Sequence, residues 1–440
     1  MSVGTTQGMS TMDKFQAVME KTVVPIGMKI SNQKYLAAVR DGMTVLIPLT
    51  IIGGFACLLA MPPVPTGLSG GNIFADFLLG WSAWAAANST VLLAPYHMTI
   101  GIISVYVVCG VAYRLAKTYE LDGINNMLVA LLTFLCVSDA IDFETASISI
   151  AKLGAGYMFG AMIIALVVVE ITHQCTERKV TIKLPDSVPP NVAAPFNALI
   201  PAVFSVVGLV LLNVLCTTMS GSGVTSLVYT VFQPLLSATG SLPSVIIINL
   251  ITTTFWFFGI HGSNMTSVVT SPITTAALAA NLEAYQAGKA LPFIYAGAAN
   301  TVFGNWIAYP AILVVILIMC KSSQLKSVAK IAIGPSIFNI NEPMIFGVPT
   351  VLNVFTYIPL LITGVVNFSA YYFLAEAGIL GRFYITLPFT VPGPLQAFLA
   401  TMDPKTVILY AALFVVDVLV VVPFIKAYDK TLLAQENAGE

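Results

Sequence analysis

Residues 338–347 read FNINEPMIFG, and this stretch limits how the rest of the chain can fold. Glu342 stands between Asn341 and Pro343, with long apolar runs on both sides. An ionised carboxylate is costly to remove from water, so Glu342 must be paired, protonated or open to an aqueous cavity. Proline lacks a backbone donor and disfavours helix at the preceding residue, so we expect the acid at a break in the chain.

The composition around this motif is that of a membrane protein. The chain has 440 residues, of which 57% are hydrophobic and 9% charged, and its mean hydropathy is +0.90. A soluble domain carries about 25% charged residues, so we predict an all-α polytopic membrane protein. A net charge of -1 gives no sign of nucleic-acid binding. The sequence has no CxxC pair, HExxH motif or GxxxxGK[ST] loop, so we expect no metal, no cofactor and no ATP-driven pump.

Long apolar runs mark the candidate membrane-spanning segments, since a helix needs about 20 apolar residues to cross a bilayer. They lie at about 43–61, 91–116, 124–138, 151–172, 193–216, 243–260, 292–320, 350–375 and 406–425. Residues 73–88 form a shorter run that contains Asp76. Basic residues are favoured in cytoplasmic loops, and Arg114 and Lys117 would be cytoplasmic only if residues 73–88 do not span the membrane. A short tilted helix could still span it, so both interpretations stay open.

A polar connector at residues 173–192, ending near Pro189-Pro190, is the best candidate for a domain boundary. Basic residues near the start of the chain, and Lys426 and Lys430 after the last apolar run, indicate that both termini are cytoplasmic. The expected divisions are an interfacial N-terminal segment at 1–41, an N-terminal transmembrane domain at 42–175, a connector at 176–192, a C-terminal transport domain at 193–430 and a tail at 431–440.

Breaks in the apolar pattern concentrate in the C-terminal half. Residues 261–291 are rich in Ser, Thr, Asn and Ala, which suits a re-entrant or cavity-lining hairpin, and 331–349 suggest a second hairpin. Prolines interrupt 384–400. Non-helical backbone at membrane depth persists only where protein or water satisfies its polar groups, so we predict that the transport site lies in this half.

A second polar constellation, WFFGIHGSN at residues 256–264, precedes the opening motif. The neutral imidazole of His261 can donate to one sugar hydroxyl and accept from another, while the indole face of Trp256 can stack on sugar C–H bonds. In an average protein such a histidine is more often satisfied within a bundle. In a membrane segment that also breaks, a site role is favoured.

Glu342 has a functional and a structural interpretation. As a carboxylate it could bind two sugar hydroxyls, or take the proton of a hydroxyl that attacks phosphorus. Alternatively, it could cap a hairpin or pair with a lysine such as Lys330. Asn341 suits a polyol but could equally be a turn residue. Gln396, in the proline-broken stretch, is a further candidate for binding a sugar.

These motifs resemble the membrane-spanning IIC component of the bacterial phosphoenolpyruvate:sugar phosphotransferase system, in its lactose/cellobiose/chitobiose family. The resemblance covers nearly the whole chain. It includes LAAVRDGMTVLIPLTIIGG at 36–54, WFFGIHGSN at 256–264, FNINEPMIFGVPTVLN at 338–353 and PFIKAYDK at 423–430. The intact FNINEP block together with the His261-Gly262 pair is specific to this family.

The resemblance implies a lipid-embedded homodimer in the bacterial inner membrane, built from protomers of about ten transmembrane helices with two re-entrant hairpins. The N-terminal domain would form the dimer interface. The C-terminal domain would bind a disaccharide of the cellobiose or chitobiose kind and carry it across the membrane like an elevator. A partner IIB protein with a phosphocysteine, itself charged by IIA, would then phosphorylate the sugar from the cytoplasmic side.

The resemblance also assigns roles to residues. By motif position, Glu342 and His261 would be catalytic and contact the hydroxyl that receives phosphate, with Asn341 and Trp256 beside them. The family usually has Pro-Trp-Thr-Thr-Pro where residues 388–392 read PFTVP. Phe389 thus replaces an expected stacking tryptophan, and the identity of the sugar stays open.

Two other function classes remain possible from the residues alone. One is an ion-coupled secondary transporter that releases unmodified sugar, with Glu342 as the proton-coupling acid. The other is a membrane sensor or scaffold that keeps the fold without transport. Because the chain ends soon after the last apolar run, we expect the phosphoryl-donor cysteine on a separate IIB chain, with this chain as the permease subunit of the complex.

Overall fold

The computed structural model describes residues 33–62, 64, 69–142, 144–182, 190–348 and 350–438. Over these ranges the chain is almost entirely helical, which confirms the predicted all-α fold class. Most of the N-terminal segment expected at 1–41, namely residues 1–32, lies outside the described residues, as does part of the connector, at 183–189. The last residues of that N-terminal segment belong to the first described helix, which begins at Lys34.

Helices α1 to α7 form the first half of the described chain. Their bounds are Lys34–Thr44 for α1, Ile47–Ala60 for α2, Ile73–Ala87 for α3, Ser89–His97 for α4, Ile103–Thr118 for α5, Gly123–Val137 for α6 and Met158–Glu177 for α7. A short antiparallel hairpin, β1 Ile141–Asp142 and β2 Ser147–Ile148, separates α6 from α7. Single-turn 3-10 helices precede α5 and α7.

Helices α8 to α18 form the second half. Their bounds are Pro190–Ser220 for α8, Val224–Thr239 for α9, Leu242–Phe257 for α10, Gly262–Gln286 for α11, Ala299–Val302 for α12, Ala308–Met319 for α13, Ser323–Ile337 for α14, Glu342–Gly347 for α15, Val354–Glu376 for α16, Gly393–Thr401 for α17 and Lys405–Ala438 for α18. A 3-10 turn, Asn305–Ile307, leads into α13.

Six helical stretches within the described residues are long and apolar enough to cross a membrane. Two bent helix pairs raise the number to eight if each pair is one span. One of them joins α3 to α4 with a bend of 75°. Residues 73–88 therefore form one arm of a broken pair, whose two arms together have the length and hydropathy of a crossing.

The two stretches expected to form hairpins fold differently from each other. Residues 262–286 form one continuous helix, α11, with Pro272 inside it, so the turn expected within 261–291 is absent there. The neighbourhood of the FNINEP motif does form a helical hairpin, because α14 ends at Ile337 and α15 begins at Glu342. Asn339 turns the chain between them with a positive φ of 59°.

The α14–α15 hairpin is anchored at its base by the last helix. Asp429 on α18 accepts hydrogen bonds from the backbone N–H groups of Lys321 and Ser322, at 3.0 and 2.8 Å. About two turns further along the same helix, Glu436 accepts the hydroxyl of Ser322 at 2.7 Å. The first N–H groups of a helix have no partner within it. Glu436 also accepts those of Ser323 and Gln324, at 3.4 and 3.2 Å, while Asp429 holds the chain just before α14 begins.

Close approach between α1 and α5 is possible because glycines face each other. A Cβ placed on Gly42 would lie 2.7 Å from the backbone nitrogen of Val111, and one on Gly110 would lie 2.7 Å from the carbonyl oxygen of Gly42. Neither neighbour is a side chain that could rotate away. Small residues allow membrane helices to pack at such short distances, and α1 is thereby held against the first-half core.

We expect Gly42→Ala to lower the thermal stability of the purified protein, because α1 must move away from α5 to admit a methyl group. Gly208→Ala is the matched control, since a Cβ at Gly208 on α8 would meet nothing within 4 Å. There the alanine should be neutral or stabilising by about 0.5–1 kcal/mol, because glycine weakens a helix interior. Melting curves in one detergent measure both, and equal shifts would contradict the packing argument.

Candidate functional site

A polar cavity of about 350 Å³ lies in the C-terminal half, between α10, α11 and the segment that leads into α13. Its longest wall is one face of α11. That face carries six hydroxyl residues at helical spacing, namely Ser263, Thr266, Ser267, Thr270, Ser271 and Thr274. They follow the i, i+3, i+4, i+7 pattern and extend for roughly 16 Å along the helix. We call this set the hydroxyl stripe.

Three asparagines form a second wall of the cavity. Asn249 and Asn300 donate to each other through their side-chain amides, at 2.9 and 2.7 Å. Asn249 also donates to the carbonyl oxygen of Gly364 at 3.3 Å. The third, Asn305, donates to the hydroxyl of Thr253 at 2.5 Å. Because each amide both donates and accepts, this wall suits a ligand that carries many hydroxyl groups.

Aromatic rings complete the cavity lining, contributed by Trp256, Tyr295, Trp306 and Tyr309. The indole of Trp256 is 8% exposed, and its ring lies 4.3 Å from the imidazole of His261 between centroids. Phe346 on α15 meets the same indole edge-on at 6.4 Å. Rings beside hydroxyls and amides are the combination that a sugar requires, since a sugar presents both C–H faces and hydroxyl edges.

His261 lies at the mouth of the hydroxyl stripe rather than inside the cavity. It is exposed, and it is the N-cap of α11, where its Nδ1 atom accepts the backbone N–H of Asn264 at 3.3 Å. With Nδ1 accepting, Nε2 carries the proton of a neutral imidazole and can donate; this tautomer is assigned from the hydrogen bond. The adjacent residue Gly262 cannot carry a side chain, because a Cβ there would lie 2.0 Å from the carbonyl oxygen of Thr252.

Glu342 occupies the first position of α15, at the chain break that its sequence context predicts. Its side chain is exposed, and Pro343 follows at a position where a missing N–H has no consequence. Phe346, one turn further along α15, meets the indole of Trp256, which lines the cavity. Glu342 thus lies on the helix that meets the cavity through Phe346, whereas His261 contacts Trp256 from the α11 side.

The two asparagines of the motif have different environments. Asn341 is 5% exposed, and its Oδ1 atom has no hydrogen-bond partner among the described residues. Asn339 is the turn residue, and its amide donates to the carbonyl oxygens of Phe389 and Val391 at 2.9 and 2.5 Å. Asn339 is therefore the residue with turn geometry, while Asn341, two residues later, is the N-cap of α15 and makes no capping hydrogen bond with its side chain.

Phe389 and Gln396 lie away from the hydroxyl stripe. The ring of Phe389 is 59% exposed, and the side chain of Gln396, on α17, is 2% exposed. In the part of the chain that the structure describes, neither is among the residues that line the cavity. The loop that contains Phe389 is linked to the FNINEP motif, because Asn339 donates to the carbonyl oxygens of Phe389 and Val391. Direct contact of Phe389 or Gln396 with a sugar stays a prediction.

The hydroxyl stripe and the asparagine wall were not among the residues singled out from the sequence. The stripe had a signal, since Ser and Thr recur every three or four residues from 263 to 274, and that period indicates one helix face. The asparagine wall had no local signal. Asn249, Asn300 and Asn305 come together only through the packing of three separate segments.

We expect Ser271→Ala to weaken saccharide binding about two- to tenfold, because one neutral hydrogen bond contributes about 0.5–1.5 kcal/mol. Ser271 is in the middle of the stripe, and alanine is compatible with the helix. Thr230→Val is the control, because that hydroxyl bonds to the carbonyl oxygen of Ser226 on α9, outside the cavity. Calorimetric titration with a panel of disaccharides measures the affinities. An unchanged affinity at Ser271 for every bound sugar would place the ligand elsewhere.

Comparisons with known proteins identify the family. A family model described as "Phosphotransferase system, EIIC" matches residues 40–364. The oligo-beta-mannoside-specific EIIC component from Bacillus subtilis (strain 168) is 32% identical over 428 residues, covering 94% of each chain. The lactose-specific EIICB component from Lacticaseibacillus casei is 30% identical, and the match covers 94% of this chain and 71% of that relative.

A solved structure of similar fold belongs to the same kind of protein as these relatives. It is the transporter ChbC, the IIC component from the N,N'-diacetylchitobiose-specific phosphotransferase system. The two structures superpose with a TM-score of 0.86 at 29% identity, over 95% of this chain and 99% of that one. The matched family region contains Trp256, His261 and Glu342. The chain belongs to the EIIC family of the phosphotransferase system, as a multi-pass sugar permease component that works with IIA and IIB partners.

Proposed function

We propose that this chain binds a disaccharide along the hydroxyl stripe and presents one of its hydroxyl groups to Glu342 and His261 for phosphorylation by a separate IIB protein. The observation that carries the proposal is the position of Trp256. Its indole lines the cavity, contacts the imidazole of His261 and meets α15 through Phe346. A sugar ring stacked on that indole would lie beside both proposed catalytic groups.

The proposed chemistry transfers one phosphoryl group and needs no redox partner. A sugar hydroxyl oxygen attacks the phosphorus of the IIB phosphocysteine, so that an O–P bond forms while the S–P bond breaks. The cysteine leaves as a thiolate, and the hydroxyl proton passes to the carboxylate of Glu342. His261, donating through Nε2, orients the attacking oxygen. Positioning supplies most of the catalysis in phosphoryl transfer, which suits side chains fixed at helix starts.

For the substrate we propose a disaccharide of the cellobiose or chitobiose kind. The cavity volume of about 350 Å³ lies at the lower end of the usual range for small-molecule sites. The names of the similar proteins give oligo-beta-mannoside, lactose and N,N'-diacetylchitobiose as their sugars. Phe389 in place of a stacking tryptophan would adjust the preference among such sugars if the loop at 388–392 closes over the ligand.

The arrangement of the chain in the membrane follows the same proposal. We take residues 42–175 as the dimer-interface domain and 193–430 as the domain that moves the sugar, with about ten crossings, re-entrant hairpins and an elevator-type displacement. Support for cytoplasmic termini comes from lysines at one end of the bundle. Asp429 on α18 accepts the N–H of Lys321, so the start of α14 and the later part of α18 lie at the same end of the bundle. That end carries four lysines, Lys321, Lys326, Lys426 and Lys430. Basic residues favour the cytoplasmic side of the bacterial inner membrane.

Glu342→Gln should abolish phosphorylation while leaving sugar binding measurable, because glutamine keeps the shape but cannot take the proton. A general base contributes about 10²–10⁴-fold to a rate. The assay is uptake of labelled sugar into vesicles loaded with phosphorylated IIB, with sugar phosphate measured inside. Glu376→Gln, an exposed acid at the end of α16, is the control. If the Glu342→Gln variant phosphorylates sugar at the wild-type rate, Glu342 is not the general base and has only a structural role.

His261→Ala should weaken sugar affinity about two- to tenfold through loss of one hydrogen bond and of the contact with the Trp256 indole. His173→Ala is the matched control, since His173 stacks on Tyr119 at 3.8 Å in the first half of the chain. Equilibrium binding to the purified protein measures the change. An affinity equal to that of the His173 variant would remove His261 from the site.

A further inference from the structure

A buried carboxyl group lies behind the asparagine wall and has no role in the reaction proposed above. Asp417 is on α18, inside the apolar stretch YAALFVVDVLVVV at residues 410–422. Both Asp417 and its neighbour Asn367, on α16, are 0% exposed. In the described part of the chain, ion pairs join Arg40 to Asp41 and Lys405 to Asp403, and neither involves Asp417.

The hydrogen bonds around Asp417 leave two acceptors unpaired on the same pair of side chains. The amide of Asn367 donates to Asp417 Oδ2 at 2.9 Å and to the carbonyl oxygen of Gly304 at 3.1 Å, which uses both of its hydrogens. Two acceptors on that side also fix the orientation of the amide. Asp417 Oδ1 and Asn367 Oδ1 are then both buried without a donor among the described residues.

We propose that Asp417 is a proton-binding site: it is held as the neutral acid, and its proton on Oδ1 is donated to Asn367 Oδ1. One added proton removes both unpaired acceptors, because it turns one of them into a donor for the other. The two side chains are then joined by a pair of antiparallel hydrogen bonds, as in an acid–amide dimer. Protonation of Asp417 also removes the free-energy cost of an unpaired negative charge at membrane depth.

A bound metal cation explains the same oxygens less well. Hard cations in proteins take about six oxygen ligands, whereas Asp417 and Asn367 offer two free ones, and the Gly304 carbonyl is already an acceptor. The titratable side chain about two turns earlier on the same helix is Tyr410, which carries no positive charge in either of its protonation states. A proton therefore satisfies the pair with the fewest additional groups.

The acid–amide pair would act on the site by fixing the cavity wall. Asn367 holds the carbonyl of Gly304, and the next two residues, Asn305 and Trp306, line the cavity. One turn before Asn367, Gly364 packs against the Asn305 amide so closely that a Cβ there would lie 2.7 Å from its oxygen. Asp417 is thus a positioning residue, which acts on the ligand through Asn367 and the 304–306 segment.

The direct test is infrared spectroscopy of the full-length protein in lipid nanodiscs at neutral pH. The difference between wild type and Asp417→Asn should show loss of the carbonyl stretch of a protonated carboxylic acid. Asp403→Asn is the control, because Asp403 accepts the N–H of Gly381 at 2.9 Å and pairs with Lys405, so its removal should delete a carboxylate band. A carboxylate band lost at Asp417 as well would overturn the proposal.

Ligand binding tests the positioning role, and this part rests on the proposed sugar site. Asp417→Asn keeps one donor and one acceptor, so sugar affinity should stay within about threefold of wild type, whereas Asp417→Leu should lose about tenfold or more. Equal losses of sugar affinity in the two variants would overturn the role of the proton. A wild-type sugar affinity that increases with sodium concentration, with no such increase in Asp417→Asn, would also overturn it, because it would indicate a bound sodium ion. If no sugar binds to wild type, the proposed function fails while the infrared result still decides the protonation.

Discussion

An apolar helix bundle has no water with which to satisfy the polar groups that it buries, and this constraint shapes the breaks between helices in the described part of the chain. Each break exposes backbone carbonyl and N–H groups that a regular helix would have paired. In this protein a buried asparagine from another segment repeatedly supplies the partner. Asn281 on α11 does so for two of them, donating to the carbonyl oxygens of Phe293 and Phe383 at 2.7 Å each and accepting the N–H of Phe293.

The same device recurs around the cavity. Asn339 holds the proline-broken loop at residues 389 and 391, and Asn367 holds the carbonyl of Gly304, just before α13. Asn249 makes a similar bond to the carbonyl of Gly364, although that residue lies inside α16. An amide can serve a broken backbone because it donates and accepts without carrying a charge. Asparagine side chains therefore serve both the cavity wall and the breaks in the backbone.

The sequence predicted those parts of the site in which a local rule decides the structure. Pro343 placed Glu342 at a break. For His261 the sequence indicated a break in a membrane segment, and the structure shows that the break is the start of α11. The hairpin expected at 261–291 has no turn between residues 262 and 286, because the Ser, Thr, Asn and Ala content that suggested a break belongs to the cavity-lining face of one helix. Neighbouring segments pack against α11, and the helix continues through Pro272 as membrane helices often do. Which asparagine satisfies which carbonyl depends on contacts between residues far apart in sequence, such as Asn249 with Gly364, so no local pattern could reveal it.

The α14–α15 hairpin, which carries Glu342, is fixed at both ends by different parts of the chain. At its base, Asp429 accepts the N–H groups of Lys321 and Ser322. At its tip, Asn339 donates to the carbonyls of Phe389 and Val391. A hairpin held in this way cannot swing alone without breaking buried hydrogen bonds at one end. We infer that any movement of Glu342 toward the hydroxyl stripe involves the hairpin, the 389–391 loop and the end of α18 together, because these hydrogen bonds join them.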